Sequence, residues 1–532
     1  MGSIPKGSIV PSFSIPRRIV LSAILAALLL AGNGARAERE ILPGISTDRV
    51  VLGKPYDLLG KRIVFTNWYY IDPGDLDWWD KNDKSVYVDG NEAVNASRFV
   101  GIRPPHGIKI AARKGSVIGP FENVPYRSIL QDGDTYKGWT STEYYESKDG
   151  MQWEMKSLLT FKDPTDDGVH QVFIDPTAAP EQRFKAVWVG HMNRAEFEAF
   201  RARRPDGWEP KAVFLLGEQD HVACLRASVS PDGITWSNLP EPLVVEYSDT
   251  LNTAYYDVQL KKYVIFTRYW SVGPTAASQP ATIRDSWTGV GRRAIGRTES
   301  GDFSTFLPSE MVLEPTPTML PSESLYTNCY TTIPGAPDQH LMFPTIWNAS
   351  IDDSTRVALA SSHDGKVWHW VPEGDVLETA PFGNWNGGCI WAQPNLLELG
   401  NGDWALPYLA HNVPHKYPRG QRVGGVGYAI WPKGRMVALE AEGEAEFTLI
   451  PVMAKGRSLK INATTKRTGW VKVEVLGDPE RTLEKCTPLL GDQHWTAFSW
   501  ADGGTETLRN LEQPVTLRFQ MYQADLYGIE FE

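Results

Sequence analysis

"SKDGMQW" at 147–153, "SPDGITW" at 230–236 and "SHDGKVW" at 362–368 spell one pattern, S-x-D-G-x-x-W, three times over. Each position has a job that a turn needs. Ser and Asp side chains bond nearby backbone N–H groups, and Gly takes the positive φ of a tight hairpin. The Trp that follows can bury its ring between neighbouring sheets. A weaker copy, "SGDFSTF" at 300–306, puts Phe303 and Phe306 in the apolar positions. Asp149, Asp232 and Asp364 therefore read as structural, because a unique catalytic centre does not need three copies.

The copies begin 83, 70 and 62 residues apart. That period exceeds one hairpin and suits a four-stranded blade with insertions. β-rich stretches with a turn and a second strand begin near 124, 170, 252, 325 and 388, which makes five blades. The one clear helical pattern, "NRAEFEAFRARR" at 193–204, lies inside the longest interval. Asn193 and Glu196 could form a capping box there. After about 446, "WVKVEV" and "VTLRFQM" alternate apolar and polar residues, the pattern of half-buried antiparallel strands. The expectation is an all-β chain, a five-bladed β-propeller followed by a C-terminal β-sandwich. Its segments are 1–37 signal peptide, 38–110 N-terminal segment with a closing strand, 111–445 propeller and 446–532 sandwich.

The start of the chain reads as a targeting signal. Lys6, Arg17 and Arg18 precede an apolar run, Ile19 to Ala31, too short to span a bilayer, and "ARA" at 35–37 offers a cleavage site after Ala37. The expected location is periplasmic or secreted. Without the leader's four basic residues, 49 Lys and Arg face 64 Asp and Glu, a net charge of −15. That balance, with no basic block, argues against nucleic acid or an anionic membrane as partner. The charge does not identify a substrate; the protein is expected to be a monomer or small homo-oligomer. The four cysteines, at 224, 329, 389 and 486, show no zinc spacing. At most one disulfide or four buried thiols fit them equally. Twenty Trp and twenty Tyr fill an all-β core, or offer platforms for sugar rings; composition does not divide the two.

A five-bladed propeller with a C-terminal sandwich resembles the clan of family 32 glycoside hydrolases, with the family 43 arabinofuranosidases and xylosidases as relatives in fold. The stretches that carry the resemblance are the repeated S-x-D-G-x-x-W, "GRRAIGRTESGDF", and "GGVGYAIWPKGRMVALEAEGEAEFTLIPV". The resemblance implies an exported hydrolase of O-glycosyl bonds in a poly- or oligosaccharide, with an acid/base carboxylate pair in the propeller funnel. The invertase "WMNDPNG", "RDP" and "EC" motifs are absent; "NWYYIDPGD" at 67–75 and "IDP" at 174–176 only echo them. That absence keeps a second reading open, a non-catalytic carbohydrate-binding propeller.

In such a fold the first strand of each blade lines the axis, so its polar residues are the candidates. Glu122, Asp249 and Glu323 are the expected catalytic carboxyl groups, with Glu323 as the acid, since glycoside hydrolysis needs one carboxyl group to protonate and another to attack or activate water. Arg127, His170, Asn252, Asn328 and Trp385 are the expected substrate contacts. Asp166, Asp167 and Tyr326 also fall at these positions. "HNVPHKYPRG" at 411–420 contains His415 and Lys416 in a loop. Such a loop at the rim would hold a carboxylate or sulfate on an acidic sugar, because Arg and Lys suit such oxyanions. No cofactor or metal site is demanded by spacing, although a divalent cation at the axis stays open.

Overall fold

In the computed structural model, each S-x-D-G-x-x-W stretch closes a hairpin in the same way. The Asp232 carboxylate accepts from the N–H groups of Ile234 and Thr235 at 2.8 Å each, and Ser230 Oγ accepts from Gly233 N at 2.9 Å. Asp149 and Asp364 repeat the arrangement. Gly150, Gly233 and Gly365 all have positive φ, +75°, +79° and +67°, where a Cβ would be strained. Each Trp bends back so that its Nε1 donates to the carbonyl of that Gly. The ring then enters the seam with the preceding sheet. Trp236 packs with Trp139 and Phe184, Trp368 meets Phe266 edge-on, and Trp153 donates to the Tyr428 hydroxyl.

The structure describes residues 55–532 except 75–76, 81–84, 87–95, 101–102, 164–167, 214–220, 272–291, 350, 417–418, 455–456, 501–507 and 509–512. The expected leader at 1–37, Asp166 and Asp167 lie outside them. With 54% strand and 5% helix the chain is all-β.

Five sheets follow one another, each built of antiparallel neighbours in chain order. The first runs Ser128–Asp132, Thr135–Trp139, Glu143–Ser147, Glu154–Leu158. The second is Gln171–Ile174, Phe184–Asn193, His221–Ser230, Thr235–Asn238, with Thr160–Phe161 added in parallel. The third is Thr253–Asp257, Lys262–Ser271, Arg292–Ser300, Glu310–Leu313. In the fourth the first two strands are interrupted: Glu323–Thr327 with Tyr330–Ile333, then Ala336–Met342 with Thr345–Asn348, before Thr355–Ser362 and His369–Glu378. The fifth has Cys389–Ala392 and Leu397–Glu398, Trp404–His411, Gly424–Trp431, and last Ser116–Phe121, which precedes the first sheet in sequence. The strand that completes the fifth sheet thus lies past residue 110, outside the 38–110 segment expected to supply a closing strand.

Hydrogen bonds link the first strands in a closed circuit. Val172 N donates to Ser128 Oγ (3.1 Å), Ala254 N to Gln171 Oε1 (2.9 Å), Thr253 Oγ1 to Asn328 Oδ1 (2.6 Å), Leu396 N to Thr331 Oγ1 (3.0 Å), and Asn395 Nδ2 to Ile129 O (2.6 Å). The fifth sheet is thereby tied back to the first.

The helix Arg194–Arg203 has the capping box read from Asn193 and Glu196, and buries Phe197 and Phe200 against the second sheet. The end of the chain forms a further sheet in the order Asp492–Ala497, Leu459–Val475, Leu517–Phe531, Val437–Thr448, Lys109–Ala112, with Arg62–Val64 also on Leu517–Phe531. Val471, Val473 and Val475 are buried and alternate with partly exposed Lys472 and Glu474, as period-2 patterning requires. The early strands belong to this late sheet. All four cysteines are buried, and none is in a disulfide among the described residues. Among the described residues no helix is long and apolar enough to cross a membrane.

Candidate functional site

Two arginines occupy core-facing positions of the third sheet. In Lys262–Ser271, Phe266, Arg268 and Trp270 share a face, and in Arg292–Ser300, Arg293 and Ile295 share one. Trp270 stands opposite Arg293, and Arg268 opposite Ile295. The Arg268 side chain is 0% exposed and Arg293 is 8% exposed. Between them sits Tyr326 of the fourth sheet, whose ring lies 5.0 Å from the Arg268 guanidinium and 4.6 Å from that of Arg293. The pairing of Glu323–Thr327 with Thr345–Asn348 shifts register between Leu325 and Thr327. Such a bulge re-aims the side chain it carries, here Tyr326.

Aromatic rings wall the cluster. Trp270 lies 5.3 Å and Trp347 5.1 Å from the Arg293 guanidinium, and Tyr247 stacks on Trp270 at 5.4 Å. Trp391 and His415 stand 4.6 Å and 5.1 Å from the Tyr326 ring. Guanidinium over an aromatic face gains cation–π attraction, which grows with desolvation. The rim is more polar. Asp249, with its side chain 47% exposed, forms an ion pair with Arg268 Nη1. Lys416 Nζ lies 5.4 Å from the Trp347 ring.

Asp353 positions the loop that carries His415 and Lys416. Its carboxylate accepts from Trp347 Nε1 at 2.8 Å and from Lys416 N, and its carbonyl accepts from His415 N at 3.3 Å. Its φ of 56° is left-handed, a conformation Asp tolerates better than most residues.

The electrostatics follow from burial. Burial first, and then the charge of Arg293, push the Arg268 guanidinium well below its ordinary value; burial also lowers Arg293. Burial alone would raise the Tyr326 phenol, yet Arg268 and Arg293 outweigh it and hold it below the usual tyrosine value. Glu246, one residue before Tyr247, is buried against Thr267 and Ser309. Burial and the nearby charge of Glu209 push its carboxyl group up to about 8.

No family model and no curated protein matches the chain. Among solved structures it is similar to a glycoside hydrolase, with 13% identity over 61% of this chain and 94% of that one at a TM-score of 0.37. It is also similar to a Bombyx mori family 32 β-fructofuranosidase, with 9% identity, coverages of 81% and 95%, and a TM-score of 0.33. A Bacillus subtilis family 43 arabinoxylan arabinofuranohydrolase gives 9% identity, coverages of 77% and 95%, and a TM-score of 0.30. The families resembled in the sequence recur among these neighbours. At TM-scores below 0.5 the site's chemistry rests on its own residues.

Of the residues picked out in the sequence, Asp249, Tyr326, His415 and Lys416 meet in this cluster. Glu323 does not serve as a free acid: one carboxylate oxygen pairs with Arg356 and the other accepts from Leu320 N at 2.8 Å. Both carboxylate oxygens are thus engaged within the fold, whereas a general acid must have an oxygen within reach of the leaving group. Asn252 and Asn328 are buried braces rather than exposed contacts. Asn252 bonds Ser248 Oγ and Thr250 O, and Asn328 bonds Thr253 Oγ1, Tyr330 N and Phe266 O, which ties the third sheet to the fourth. Trp385 stacks on Tyr408 over the fifth sheet. Arg127 donates to Ser141 in the first sheet, and His170 is buried beside the start of Gln171–Ile174. Glu122 is exposed at the end of Ser116–Phe121, ahead of the first sheet. Asp175 and Asp257 are turn residues: Asp175 accepts from Thr177 N, and Asp257 from Gln259 and Leu260 N.

Arg268, Arg293, Trp270, Trp347 and Trp391 escaped the sequence reading. A signal existed in "FTRYW", where an Arg takes the place that alternation reserves for a core residue. A cavity of about 720 Å³ lies elsewhere, lined among others by Arg62, Gln131, Lys148, Thr332 and Glu398, near the far ends of the first strands. Its Arg62 and Glu398 pair with one another at 3.4 Å, and it offers few rings. Among the described residues no group of three or more His, Cys, Asp or Glu is arranged to hold a metal ion.

Proposed function

We propose that the five sheets are the blades of a β-propeller, closed by Ser116–Phe121, with the late sheet the basis of a C-terminal sandwich module. The segment boundaries are those read from the sequence. On this reading the chain is an exported glycoside hydrolase of a poly- or oligosaccharide, and its site is the cluster at the third to fifth blades. The supporting observation is Asp249: a half-exposed carboxylate, paired with a buried arginine, at the edge of a box of aromatic rings. Rings of this kind stack on the C–H faces of sugars, and an oriented carboxylate can attack an anomeric carbon or activate water. Glu122 is the remaining candidate for the proton donor. Like Asp249 it lies just ahead of a first strand, so both belong to the same end of the propeller. Glu323 acts only as the partner of Arg356.

Hydrolysis of a panel of plant and algal polysaccharides by the purified protein tests this reading. Asp249→Asn should lower kcat by about 10²–10⁴-fold while sugar binding survives. Thermal denaturation of the variant accompanies the assay, since the change leaves Arg268 without its carboxylate. Full activity in a folded Asp249→Asn variant would refute the assignment. A specific observation favours the second reading, a carbohydrate-binding propeller without catalysis: Glu323 is committed to Arg356, so of the three expected carboxyl groups only Asp249 meets the rings. Binding of sugars without turnover on any substrate would establish it.

A further inference from the structure

At the end of the sheets opposite Asp249, two aromatic rings stand half in water. Trp68 is 49% and Tyr69 46% exposed, while Tyr70, the third ring of the same short turn, is buried and anchors it. The turn is braced from the fourth sheet. Asn67 Oδ1 accepts from Tyr69 N at 3.0 Å, Asn67 Nδ2 donates to Ser361 Oγ at 3.3 Å, and Ser361 Oγ donates to Thr66 O at 2.9 Å. The Tyr69 ring lies flat against the imidazole of His363, 4.1 Å away and tilted by 11°. His363 belongs to the turn at 362–368, so the rings share the end where the S-x-D-G-x-x-W turns lie. Large rings that are fixed in place yet uncovered mark a surface with a ligand to meet.

The rings adjoin the cavity of about 720 Å³ at the far ends of the first strands. Tyr70 meets Tyr69 at 5.1 Å and Tyr56 at 5.0 Å. The Tyr56 hydroxyl and Lys61 Nζ both donate to Asp338 Oδ2, at 3.0 and 2.8 Å. Pro337 and Arg62, the chain neighbours of Asp338 and Lys61, line the cavity. Its volume falls within the roughly 300–1,000 Å³ of ligand pockets. The charges there are matched in sign. Arg62 pairs with Glu398 and Glu530 at 3.4 and 3.6 Å, Lys433 pairs with Glu398 at 2.7 Å, and exposed Lys148 and Asp134 add one of each. Gln131 and Thr332 contribute an amide and a hydroxyl, groups that both donate and accept.

A lining with balanced charge and two-way hydrogen-bonding groups, beside fixed rings, suits an uncharged ligand with many hydroxyl groups and apolar C–H faces. We propose that this end of the protein binds a neutral polysaccharide chain, stacked on Trp68 and Tyr69 and reaching into the cavity beside Gln131 and Thr332. The site goes beyond the one at Asp249 and does not rest on it, because it holds a polymer without reacting with it. Burial, and then Asp364 and Asp338, raise the Tyr69 phenol above its ordinary value, so its hydroxyl remains a donor. A long chain held here presents its other segments to the opposite end at raised local concentration.

Native electrophoresis of the full chain through gels containing arabinan, xylan, galactan, levan or polygalacturonate measures retardation by each polymer. At least one of the four neutral polymers should retard the protein. Trp68→Ala should weaken that binding about tenfold, the effect of losing one stacked ring, and Gln131→Ala several-fold. Tyr69→Phe keeps the ring and should bind nearly as the parent does. Trp68 and Gln131 are exposed, so both alanine variants should melt with the parent; if Trp68→Ala is unstable, Gln131→Ala decides the matter. Retardation by none of the neutral polymers, by polygalacturonate alone, or equally in the parent and these alanine variants overturns the proposal. The reading at Asp249 stands or falls separately. Trp68→Ala should cleave short oligosaccharides at the parent's rate, and a protein that binds polymer through Trp68 but cleaves nothing keeps this site and ends the hydrolase.

Discussion

Glu246 is a carboxyl group that the fold keeps protonated well above its usual range. Burial between Thr267 and Ser309, together with Glu209, pushes its pKa up to about 8 from an ordinary 4.5. The sign of the linkage follows. Between about 4.5 and 8 the folded protein holds a proton that the unfolded chain releases, so stability is highest below that window and falls as pH rises through it. The cost at pH 8 is of order a few kcal/mol. Glu246→Gln keeps a similar shape without the charge, so it should flatten this slope and raise the melting temperature most near pH 8. Urea denaturation between pH 5 and 9 checks it; equal slopes in the two proteins would show that Glu246 ionises freely.

Side chains near Glu246 show which residues a sequence reveals. Asp249 was legible because it lies just ahead of a strand, a local relation. Arg268 and Arg293 were not, because an Arg in a strand reads as solvent-facing until the neighbouring sheet is known to cover it. Glu323 misled for the same reason: its partner Arg356 lies 33 residues on. Asn252 and Asn328 sit where an axial reading places sugar contacts, yet their amides are used by backbone and hydroxyl groups a reader of the sequence cannot see.

At the scale of the element, the S-x-D-G-x-x-W turns were legible in full, because everything they need lies within seven residues. The N–H groups, the Gly φ and the Trp ring follow from local chemistry. What the sequence could not give is which seam each Trp fills, since Trp236 meets Trp139 and Phe184, which precede it by 97 and 52 residues. Asp232→Ala removes the acceptor for two N–H groups at 2.8 Å. A lost cap of this kind costs about 1–2 kcal/mol. The variant should therefore unfold at lower urea while its sugar affinity and turnover are unchanged. A loss of turnover in a folded Asp232→Ala protein would move this turn from fastener to site.

For the whole molecule, the early strands bind the chain's two ends together. Lys109–Ala112 pairs with Val437–Thr448 in the late sheet, and four residues later Ser116–Phe121 pairs with Gly424–Trp431 in the fifth. Arg62–Val64 lies against Leu517–Phe531. The sequence placed a boundary near 446 because the alternation changes there, but the pairing partners of both sides lie hundreds of residues away. Buried Leu439, Phe447, Val471 and Phe519 share one apolar cluster with Trp404, Leu406 and Trp431 of the fifth sheet. Two sheets that share a core and a connecting segment should unfold together, so calorimetry should show one transition for the intact protein. A chain ending at 445 keeps the pairing of Lys109–Ala112 with Val437–Glu440, but strips Arg62–Val64 of its partner strand and exposes that cluster. It should melt at least 10 °C lower or fail to accumulate as folded protein, since losing several buried side chains removes several kcal/mol. Should the truncated chain keep the parent's melting temperature, the fifth sheet is stable without its neighbour, and the boundary read near 446 separates two independently folding units.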